Sequence, residues 1–501
     1  MYGDVGFKHG VIGDVDVLRV GESYHLFHLV LPNHSYIAHA ISHDGLTWEA
    51  APHALSISNP GHFDDAMLWT MHVTPDPDHD GRWRMFYTGL NRDDRAQVQR
   101  IGLAVSSDLI HWEKQGVQND HRQYPLEPQG ERYETQRPEK RLWRSFRDPY
   151  FYEDPGTGRR WLLACGRASE GPMIRRGCVV LAEETARDQW EFKEPLHHPG
   201  LYDEIEVPAT IEIDGRYYLM GSIREDVKVR YWVADRFDGP YQNFFDNTLL
   251  PKGNYAARPG YGPDGLLLWN FFYRGEVGGP HQFMPPPKEL AVDKTGQLRL
   301  RSFRGFDGQV TREVPKQELG PLEAMRHNPL AESDGWLGSG AAFEAFLVPG
   351  EFGDLRMRAR LRMKGRGKTG LVLRMDDEGN GYYISLDLIK GLAQARAWGE
   401  KSVGPLDDDE LPPEQAFHFE TLQTSNFIVD SDGPWELLLI GYGKYLELSV
   451  DGYIVLTLAD RSFKQGRVGF YVESSQIRVE DLAIEELRCP RSTRPVSIEN
   501  Q

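Results

Sequence analysis

The sequence predicts an all-β protein in which a five-bladed β-propeller is followed by a β-sandwich. A ten-residue pattern over 40–49 returns over 104–113 and, less clearly, over 182–191, and in each copy an Ala and a Trp stand eight residues apart. A Gly turn that leads into an aromatic strand occurs five times, starting at Gly21, Gly81, Gly158, Gly215 and Gly265. Repeats of this size predict blades packed around an axis, since a single four-stranded sheet would leave its apolar faces exposed.

The blades can be placed in order along the chain. Each repeat combines an alternating strand, a Gly turn, an aromatic strand and a further strand before the Trp, which is typical of short antiparallel strands. The five predicted blades cover roughly residues 11–50, 66–114, 147–193, 205–243 and 255–300. The polar stretch 115–145 joins the second and third blades. Because loops of that length are usually functional, we expect it at the rim of the ligand-binding face.

After residue 300 the pattern changes. Strict alternation over 355–363 predicts a strand with one apolar and one cationic face, and the later short strands predict an antiparallel sandwich. The predicted domains are the propeller at 1–305, a linker at 306–338, the sandwich at 339–490 and a C-terminal tail at 491–501. We expect the sandwich to support the propeller mechanically. The alternative is a carbohydrate-binding module with exposed aromatic side chains, namely Tyr382, Tyr383 and Trp398.

Composition narrows the class of ligand. With 57 Lys and Arg against 75 Asp and Glu, the chain of 501 residues carries a formal charge of −18. This charge argues against nucleic acid or an anionic membrane as a partner and favours a neutral ligand. The three cysteines fit neither a disulfide framework nor a zinc site, and the calcium-like run 76–81 has Tyr87 at the twelfth position. We therefore expect no metal and no cofactor. The first residues lack a basic, apolar leader, which predicts a cytoplasmic protein.

Three carboxylates stand at matching positions in three blades. Asp14, Asp148 and Glu206 lead the inner strands of blades one, three and four, and the following aromatic strand begins at a similar offset in each. Inner strands line the axis of a propeller, so these acids are expected to meet in one pocket. A single such acid would more simply cap a turn. Three crowded carboxylates oppose each other's ionisation, which suits glycoside hydrolysis, since that reaction needs one protonated and one ionised acid.

The sequence resembles glycoside hydrolase family 32, within the clan of five-bladed furanosidases. The similar segments are 24–27 with 38–48, Arg147-Asp148-Pro149, Glu206-Val207-Pro208, 253–257 and 284–290. The resemblance covers most of residues 11–300, and its order of domains is the same. The strand 466–471 also resembles those of concanavalin-like sandwiches.

The resemblance implies a function and roles for particular residues. It implies hydrolysis of furanosyl glycosides, β-fructofuranosyl above all, with a carbohydrate as the substrate. Asp14 would be the nucleophile, Glu206 the general acid and then base, and Asp148 the stabiliser of the transition state. Arg147, beside Asp148, is a candidate substrate-binding residue. Retention of configuration would follow, with about 5–5.5 Å between acid and nucleophile. Tyr255 lies in one of the similar segments and is a candidate substrate-binding residue.

The sequence also departs from the family pattern. Gly13-Asp14-Val15-Asp16 stands where the family has Asn-Asp-Pro-Asn, and Leu29 replaces a glutamine, so amides that would bind fructose are missing. Asp16 competes with Asp14 for the role of nucleophile, because residues two apart on a strand point to the same side; it is otherwise a candidate substrate-binding residue. Trp69 is another, since it can stack on a sugar ring or pack in the core.

Two alternative functions remain open. The simpler first strand is closer to family 43, whose members include inverting arabinofuranosidases and xylosidases, and inversion would need about 6.5–9.5 Å between the carboxyl groups. The missing amides are also compatible with a non-catalytic carbohydrate-binding propeller.

Overall fold

The computed structural model describes residues 2–3, 10–116, 124–138, 140–273, 282–326, 335–339, 342–365, 367–387, 390–400, 417–427 and 433–490. The chain forms two compact units that divide between Arg299 and Leu300, a few residues before the predicted end of the propeller at 305. In the described parts of the chain, no helix is both long and apolar enough to cross a membrane.

The first unit is a five-bladed β-propeller, as predicted. It contains five four-stranded sheets, in each of which every strand pairs with the next one along the chain. The innermost strands of neighbouring blades pack together, and that of blade 5 packs against that of blade 1, which closes the ring. The strands are β1 (Gly10–Val20), β2 (Ser23–Pro32), β3 (Tyr36–Ser42) and β4 (Glu49–Ser56) in blade 1; β5 (Met67–Pro75), β6 (Trp83–Leu90), β7 (Arg100–Ser106) and β8 (Glu113–Lys114) in blade 2; β9 (Phe146–Glu153), β10 (Arg160–Arg167), β11 (Gly177–Ala186) and β12 (Gln189–Phe192) in blade 3; β13 (Glu206–Ile213), β14 (Arg216–Ile223), β15 (Lys228–Ala234) and β16 (Thr248–Leu250) in blade 4; and β17 (Asn254–Tyr261), β18 (Leu266–Phe272), β19 (Lys288–Val292) and β20 (Leu298–Arg301) in blade 5.

The repeated ten-residue pattern forms the turn between the two outer strands of a blade. Ser42 and Asp44 accept backbone N–H groups from the residues that follow them, and Ser106 and Asp108 do the same in blade 2. In blade 3 Glu184 takes the place of the serine and accepts the N–H of the turn. Short polar side chains stabilise turns by hydrogen bonding to the nearby backbone. The repeat is therefore clearest in blades 1 and 2, where the turn has both Ser and Asp.

Every innermost strand carries a β-bulge near its start, where the pairing register shifts. A bulge takes a side chain out of the normal alternation and is a common device beside active sites. The sequence analysis placed the acids just ahead of the inner strands, but Asp14 and Asp148 lie within β1 and β9, and Glu206 begins β13. The residues at the register shifts are Gly13 and Asp14 in β1, Thr70 in β5, Asp148 and Pro149 in β9, Val207 and Pro208 in β13, and Ala256 and Ala257 in β17.

The second unit is a β-sandwich of a seven-stranded and an eight-stranded sheet. Its strands are β21 (Val310–Glu313), β22 (Glu323–Ala324), β23 (Leu337–Gly338), β24 (Phe343–Leu347), β25 (Leu355–Lys364), β26 (Lys368–Met375), β27 (Gly381–Asp387), β28 (Leu392–Glu400), β29 (Phe417–His418), β30 (Thr421–Asn426), β31 (Trp435–Tyr442), β32 (Tyr445–Val450), β33 (Tyr453–Ala459), β34 (Arg467–Glu473) and β35 (Gln476–Leu487). The first sheet has the order β21-β35-β25-β31-β32-β33 with β23 beside β35, and the second β22-β24-β34-β26-β27-β28-β29 with β30 beside β28. Three short 3-10 helices complete the described secondary structure, at Met173–Arg175, Arg304–Gln309 and Lys316–Glu318.

The core of the sandwich follows the alternation seen in the sequence. On β25, the apolar residues Leu355, Met357, Ala359 and Leu361 are buried in the main apolar cluster. Arg358 and Arg360, which alternate with them, form ion pairs with Glu485 and Asp481 on β35. The strand therefore has one apolar and one cationic face, and the cations are neutralised by the neighbouring strand.

Two details of the predicted second half need correction. The segment 306–338, predicted as a linker, contributes β21 and β22, which pair with β35 and β24 of the two sheets. Tyr382, predicted as an exposed aromatic, is buried and donates its hydroxyl to Asp460 at 2.9 Å. Of the three aromatics named for a carbohydrate-binding face, Trp398 is the exposed one, with 39% of its surface accessible.

Candidate active site

A cavity of about 250 Å³ opens where the five inner strands of the propeller begin. Six of the seven predicted site residues line it: Asp14, Trp69, Arg147, Asp148, Glu206 and Tyr255. The remaining wall is formed by Leu29, Leu31, Pro32, His34, Thr70, Trp143, Arg224, Phe271 and Tyr273. The carboxylates of blades 1, 3 and 4 therefore share one cavity.

Asp14 reaches the cavity from the bulge of β1. Its Oδ2 accepts a hydrogen bond from the Thr70 hydroxyl on the inner strand of blade 2. Burial raises the pKa of Asp14 to about 6, and the nearby Asp148 carboxylate adds to this effect. The Thr70 hydrogen bond and the charges of Arg258 and Arg147 act in the opposite direction. Asp14 is therefore a carboxylate that ionises only slightly below neutral pH.

Asp148 is held rigidly at the bulge of β9. Its backbone has a positive φ of 61°, a conformation that non-glycine residues adopt at a cost and that is common at functional sites. Its N–H donates to the Thr88 hydroxyl at 3.1 Å, and its Oδ2 accepts the N–H of Val207 at 3.0 Å. Val207 itself has a positive φ of 50°. Two strained bulges in adjacent blades thus fix this carboxylate in place.

Glu206 stands at the start of β13 between two donors. The Tyr255 hydroxyl donates to its Oε2 at 2.8 Å, and Arg147 Nη2 lies 3.0 Å from its Oε1. Burial raises the pKa of Glu206 to about 7 against the opposing charge of Arg147, and the neighbouring carboxylates of Glu204 and Asp148 raise it further. At neutral pH this group can hold a proton or release it, which is the property a general acid and base needs.

Arg147 connects the carboxylates rather than leaving its guanidinium free. Its Nη1 and Nη2 donate to the two oxygens of Glu204 at 3.0 and 2.8 Å, and Nη2 also reaches Glu206. Its Nε lies 3.5 Å from Asp148 Oδ2. All three guanidinium nitrogens face carboxylates, a geometry that suits a role in fixing the acids. Because Arg147 also lines the cavity, the direct substrate contact expected from the sequence stays a prediction.

Asp16 does not line this cavity. It lies in a second cavity of about 430 Å³ further along the inner strands, where it accepts the N–H of Val73 at 2.6 Å and lies 3.3 Å from His72 Nδ1. On a regular strand, residues two apart such as Asp14 and Asp16 point to the same side, but the bulge at Asp14 breaks that alternation. The structure therefore separates the two competitors for the role of nucleophile and groups Asp14 with Asp148 and Glu206.

Aromatic side chains form one wall of the candidate site. Trp69 and Trp143 meet edge to face, with ring centroids 5.9 Å apart, and the Arg224 guanidinium lies 6.0 Å from the Trp143 ring. The indole N–H of Trp69 is buried and has no hydrogen-bond partner among the described residues. Trp143 belongs to the stretch 115–145 that the sequence places at the rim. An aromatic wall is suited to packing against a sugar ring.

Several site residues were not predicted from the sequence. Thr70 and Arg258 carry no local signal, because each is an ordinary residue that a bulge brings to the axis. Glu204 did have a signal, since two acids spaced by one residue at 204 and 206 precede an apolar strand. Among the described residues, no cluster of three or more His, Cys, Asp or Glu side chains is arranged to hold a metal ion.

The comparisons with known proteins agree with this architecture. Residues 16–264 match the Glycosyl hydrolases family 32 N-terminal domain, a segment that contains Asp148 and Glu206 and begins two residues after Asp14. No curated protein sequence matches the chain.

Solved structures show the same fold at low sequence identity. A family 32 β-fructofuranosidase from Bombyx mori is 18% identical with a TM-score of 0.64, over 95% of this chain and 91% of that one. A sucrose-6-phosphate hydrolase from Lactobacillus gasseri is 16% identical with a TM-score of 0.64, over 96% and 91%. Fructan 1-exohydrolase IIa from Cichorium intybus is 13% identical with a TM-score of 0.66, over 96% of each chain. These structures show the fold, and the match of residues 16–264 to the family model shows that the propeller of this chain belongs to glycoside hydrolase family 32 and that the protein is a glycoside hydrolase.

Proposed function

We propose that the protein hydrolyses β-fructofuranosyl glycosides with retention of configuration. The observation that carries the proposal is the single cavity that Asp14, Asp148 and Glu206 share, with a different environment around each carboxylate. The similar structures include a β-fructofuranosidase, a sucrose-6-phosphate hydrolase and a fructan exohydrolase, and these names support the choice of sugar.

In the first step Glu206 is the general acid and Asp14 the nucleophile. Glu206, with its pKa of about 7, carries a proton to the leaving-group oxygen, while the ionised Asp14 forms a bond to the anomeric carbon. Asp148 is held through Oδ2 by Val207 and Arg147, so we expect its Oδ1 to bind sugar hydroxyls and to stabilise the positive charge of the transition state.

In the second step the roles of Glu206 reverse. Having given up its proton, it takes one from a water molecule, and the resulting hydroxide attacks the anomeric carbon and releases Asp14. The Tyr255 hydroxyl and Arg147 both favour the ionised form of Glu206 that this step needs. The same two contacts therefore hold the carboxylate in position through both steps.

A substrate panel with stereochemical analysis tests the proposal. We expect turnover of sucrose, fructo-oligosaccharides and aryl β-fructofuranosides, and in the presence of methanol we expect methyl β-fructofuranoside as the transfer product. The configuration of that product, read by NMR, reports retention directly. An α-configured product, or hydrolysis of no fructofuranoside in the panel, would contradict the proposal.

One observation favours a second candidate function, an arabinofuranosidase-like activity, and determines which further substrates the panel contains. Leu29 lines the cavity beside Asp14, where the family pattern has an amide that would bind fructose hydroxyls. An apolar group at this place is better matched to a furanoside with a different hydroxyl pattern. The panel therefore includes aryl α-arabinofuranosides and β-xylosides, and turnover of these with inversion would identify the arabinofuranosidase-like alternative.

A further inference from the structure

Glu204 is a buried carboxylate next to the cavity to which the mechanism above gives no task. Only 2% of its surface is exposed, and it does not line the cavity itself. Its two oxygens accept both terminal nitrogens of Arg147, at 3.0 and 2.8 Å. A second guanidinium, Arg167 Nη2, lies 2.7 Å from Glu204 Oε1. Two buried arginines thus converge on one carboxylate two residues before the acid/base catalyst.

We propose that Glu204 is a positioning residue: it holds Arg147 between Asp148 and Glu206 and offsets the charge of Arg147, so that Glu206 keeps its proton until the leaving group takes it. This inference rests on the proposed function of Glu206 as general acid. The bidentate pair fixes the plane of the guanidinium, which leaves Nη2 for Glu206 and Nε for Asp148.

The charge balance around Glu206 explains why Arg147 alone would be harmful. A lone buried guanidinium 3.0 Å from Glu206 would stabilise the carboxylate and lower its pKa. Instead, Arg147 is shared with Glu204, whose own pKa is lowered to about 2 despite its burial, by the charges of Arg147 and Arg167. Glu204 therefore stays ionised throughout the neutral range, and its negative charge keeps the pKa of Glu206 raised.

Other groups near Glu206 leave this assignment intact. Besides Glu204, the titratable or charged side chains that act on Glu206 or on its partners include Arg147 and Asp148 on β9, Cys165 and Arg167 on β10, Tyr255 and Arg258 on β17, Asp14 on β1, and Asp203, which pairs with Arg167. Burial raises the pKa of the Cys165 thiol well above its usual range, so it is neutral and contributes no charge. Tyr255 is neutral for the same reason. Glu204 and Asp148 are the neighbouring carboxylates that raise the pKa of Glu206 against the charge of Arg147.

The test is the pH dependence of kcat/KM in Glu204→Gln. This change keeps the size of the side chain and removes its charge, so Arg147 can act on Glu206 without opposition. The limb of the profile at high pH, which reports the pKa of the acid catalyst in the free enzyme, should move to lower pH by about one pH unit. Glu204→Asp, which keeps the charge, should return the limb to its wild-type place even if kcat falls.

Glu184→Gln is the matched control. Glu184 is buried and receives both terminal nitrogens of Arg84, at 3.2 and 2.8 Å, but it lies outside the cavity. Loss of this pair should lower the melting temperature much as loss of the Glu204 pair does, without moving the high-pH limb. An unmoved limb in Glu204→Gln, or an equal shift in Glu184→Gln, would overturn the proposal.

A second variant covers the case in which Glu204→Gln does not fold. Arg167→Met removes the other partner of Glu204, so Arg147 is drawn more strongly toward Glu204 and the high-pH limb should move upward. A downward movement in Arg167→Met contradicts the proposal.

If the wild type turns over no β-fructofuranoside, the proposed function fails by itself. The positioning role is then read from the ¹³C-carboxyl titration of Glu206, assigned by its loss in Glu206→Gln, which should shift to lower pH in Glu204→Gln.

Discussion

At the scale of single residues, Asp14 and Glu206 carry the same carboxyl group but differ in their surroundings and in their pKa. Both carboxylates accept a hydroxyl hydrogen bond, Asp14 from Thr70 and Glu206 from Tyr255. Burial and neighbouring carboxylates raise both pKa values, that of Asp14 to about 6 and that of Glu206 to about 7. Glu206, with the higher pKa, is therefore the group of the pair that more readily holds the proton near neutral pH. Pairs of acids whose surroundings push their pKa values apart are the mark of an acid and nucleophile pair.

Replacement of the acid tests the first assignment. Glu206→Gln removes the transferable proton but keeps the contacts to Tyr255 and Arg147, so kcat should fall by about 10²–10⁴-fold with little change in substrate binding. The loss should be smaller for aryl fructofuranosides with good leaving groups, since these need less protonation. Glu212→Gln, on the same strand but lining the second cavity, is the control and should keep activity. Equal activity of Glu206→Gln and wild type on sucrose would remove Glu206 from the mechanism.

Replacement of the nucleophile tests the second assignment. Asp14→Gly should be inactive, and azide should restore turnover by attacking from the vacated side to give an α-fructosyl azide, with configuration inverted relative to the substrate. NMR of the product identifies both the azide and its configuration. Asp16→Gly is the matched control, because Asp16 lies in the other cavity and its loss should give no azide product. Rescue confined to Asp16→Gly would transfer the role of nucleophile to Asp16.

At the scale of elements, the sequence predicts the blades better than it predicts what orients the acids. The Ser-x-Asp turn recurs with the same local hydrogen bonds in blades 1 and 2, and the Gly turn before an aromatic strand recurs five times, so these positions predict five blades. The bulges have no single residue signature, and residues as different as Thr70 and Ala256 occupy them. The exceptions are Pro149 and Pro208, since a proline inside a central strand signals a break in the ladder.

The three bulges on blades 3, 4 and 5 are tied together by one buried side chain. Arg258 leaves the bulge of β17 and donates from Nη1 to the carbonyl of Pro208 at 2.5 Å and from Nη2 to the carbonyl of Pro149 at 2.9 Å. Its guanidinium also lies 5.1 Å from the ring centroid of Tyr150. Arg258 thereby links the backbone beside Asp148 to the backbone beside Glu206, and its charge lowers the pKa of Asp14.

Variants of Arg258 should separate the charge from the hydrogen bonds. In Arg258→Met the pKa of Asp14 should rise above about 6, so the low-pH limb of kcat/KM moves upward. Each carbonyl left without a donor should lower the free energy of unfolding by about 1–3 kcal/mol. Arg258→Lys keeps the charge and should restore the limb but not the full rate, because one ammonium cannot span both bulges. A low-pH limb that stays in place in Arg258→Met would refute the electrostatic part of this argument.

At the scale of the whole molecule, the candidate active site lies within one of the two units. The cavity, all three carboxylates and the arginines that hold them belong to the propeller, whose ring is closed by contact between β17 and β1. The sandwich has its own apolar core between its two sheets. The cationic side chains of β25 form ion pairs with acidic side chains of the neighbouring strand β35. A mechanical role for the sandwich stays a prediction, and its exposed Trp398 is the residue to replace when sugar binding by this unit is measured.

The buried acids should make the propeller less stable as pH rises, even though they are needed for activity. For both Asp14 and Glu206 the pKa in the folded chain, about 6 and about 7, exceeds the ordinary values of 3.8 and 4.5. The folded state therefore binds more protons than the unfolded state between about pH 4 and 7. Their contribution to stability is greatest below the unfolded pKa values and is lost as pH rises through the folded ones. With about 1.4 kcal/mol per pKa unit, the loss is on the order of 3 kcal/mol for each group.

The double variant Asp14→Asn with Glu206→Gln removes this pH dependence. Denaturant unfolding followed by tryptophan fluorescence at pH 5, 6.5 and 8 gives the free energy of unfolding for the wild type and the variant. Because the variant has nothing to ionise at these positions, its advantage over the wild type should grow by several kcal/mol from pH 5 to pH 8. The control is Glu212→Gln, which leaves Asp14 and Glu206 in place and should therefore keep their effect on the pH dependence of stability. If the double variant keeps a constant difference from the wild type, the two acids ionise in the folded chain as they do in the unfolded one. Their surroundings would then not adjust their pKa values for the proposed roles of nucleophile and general acid.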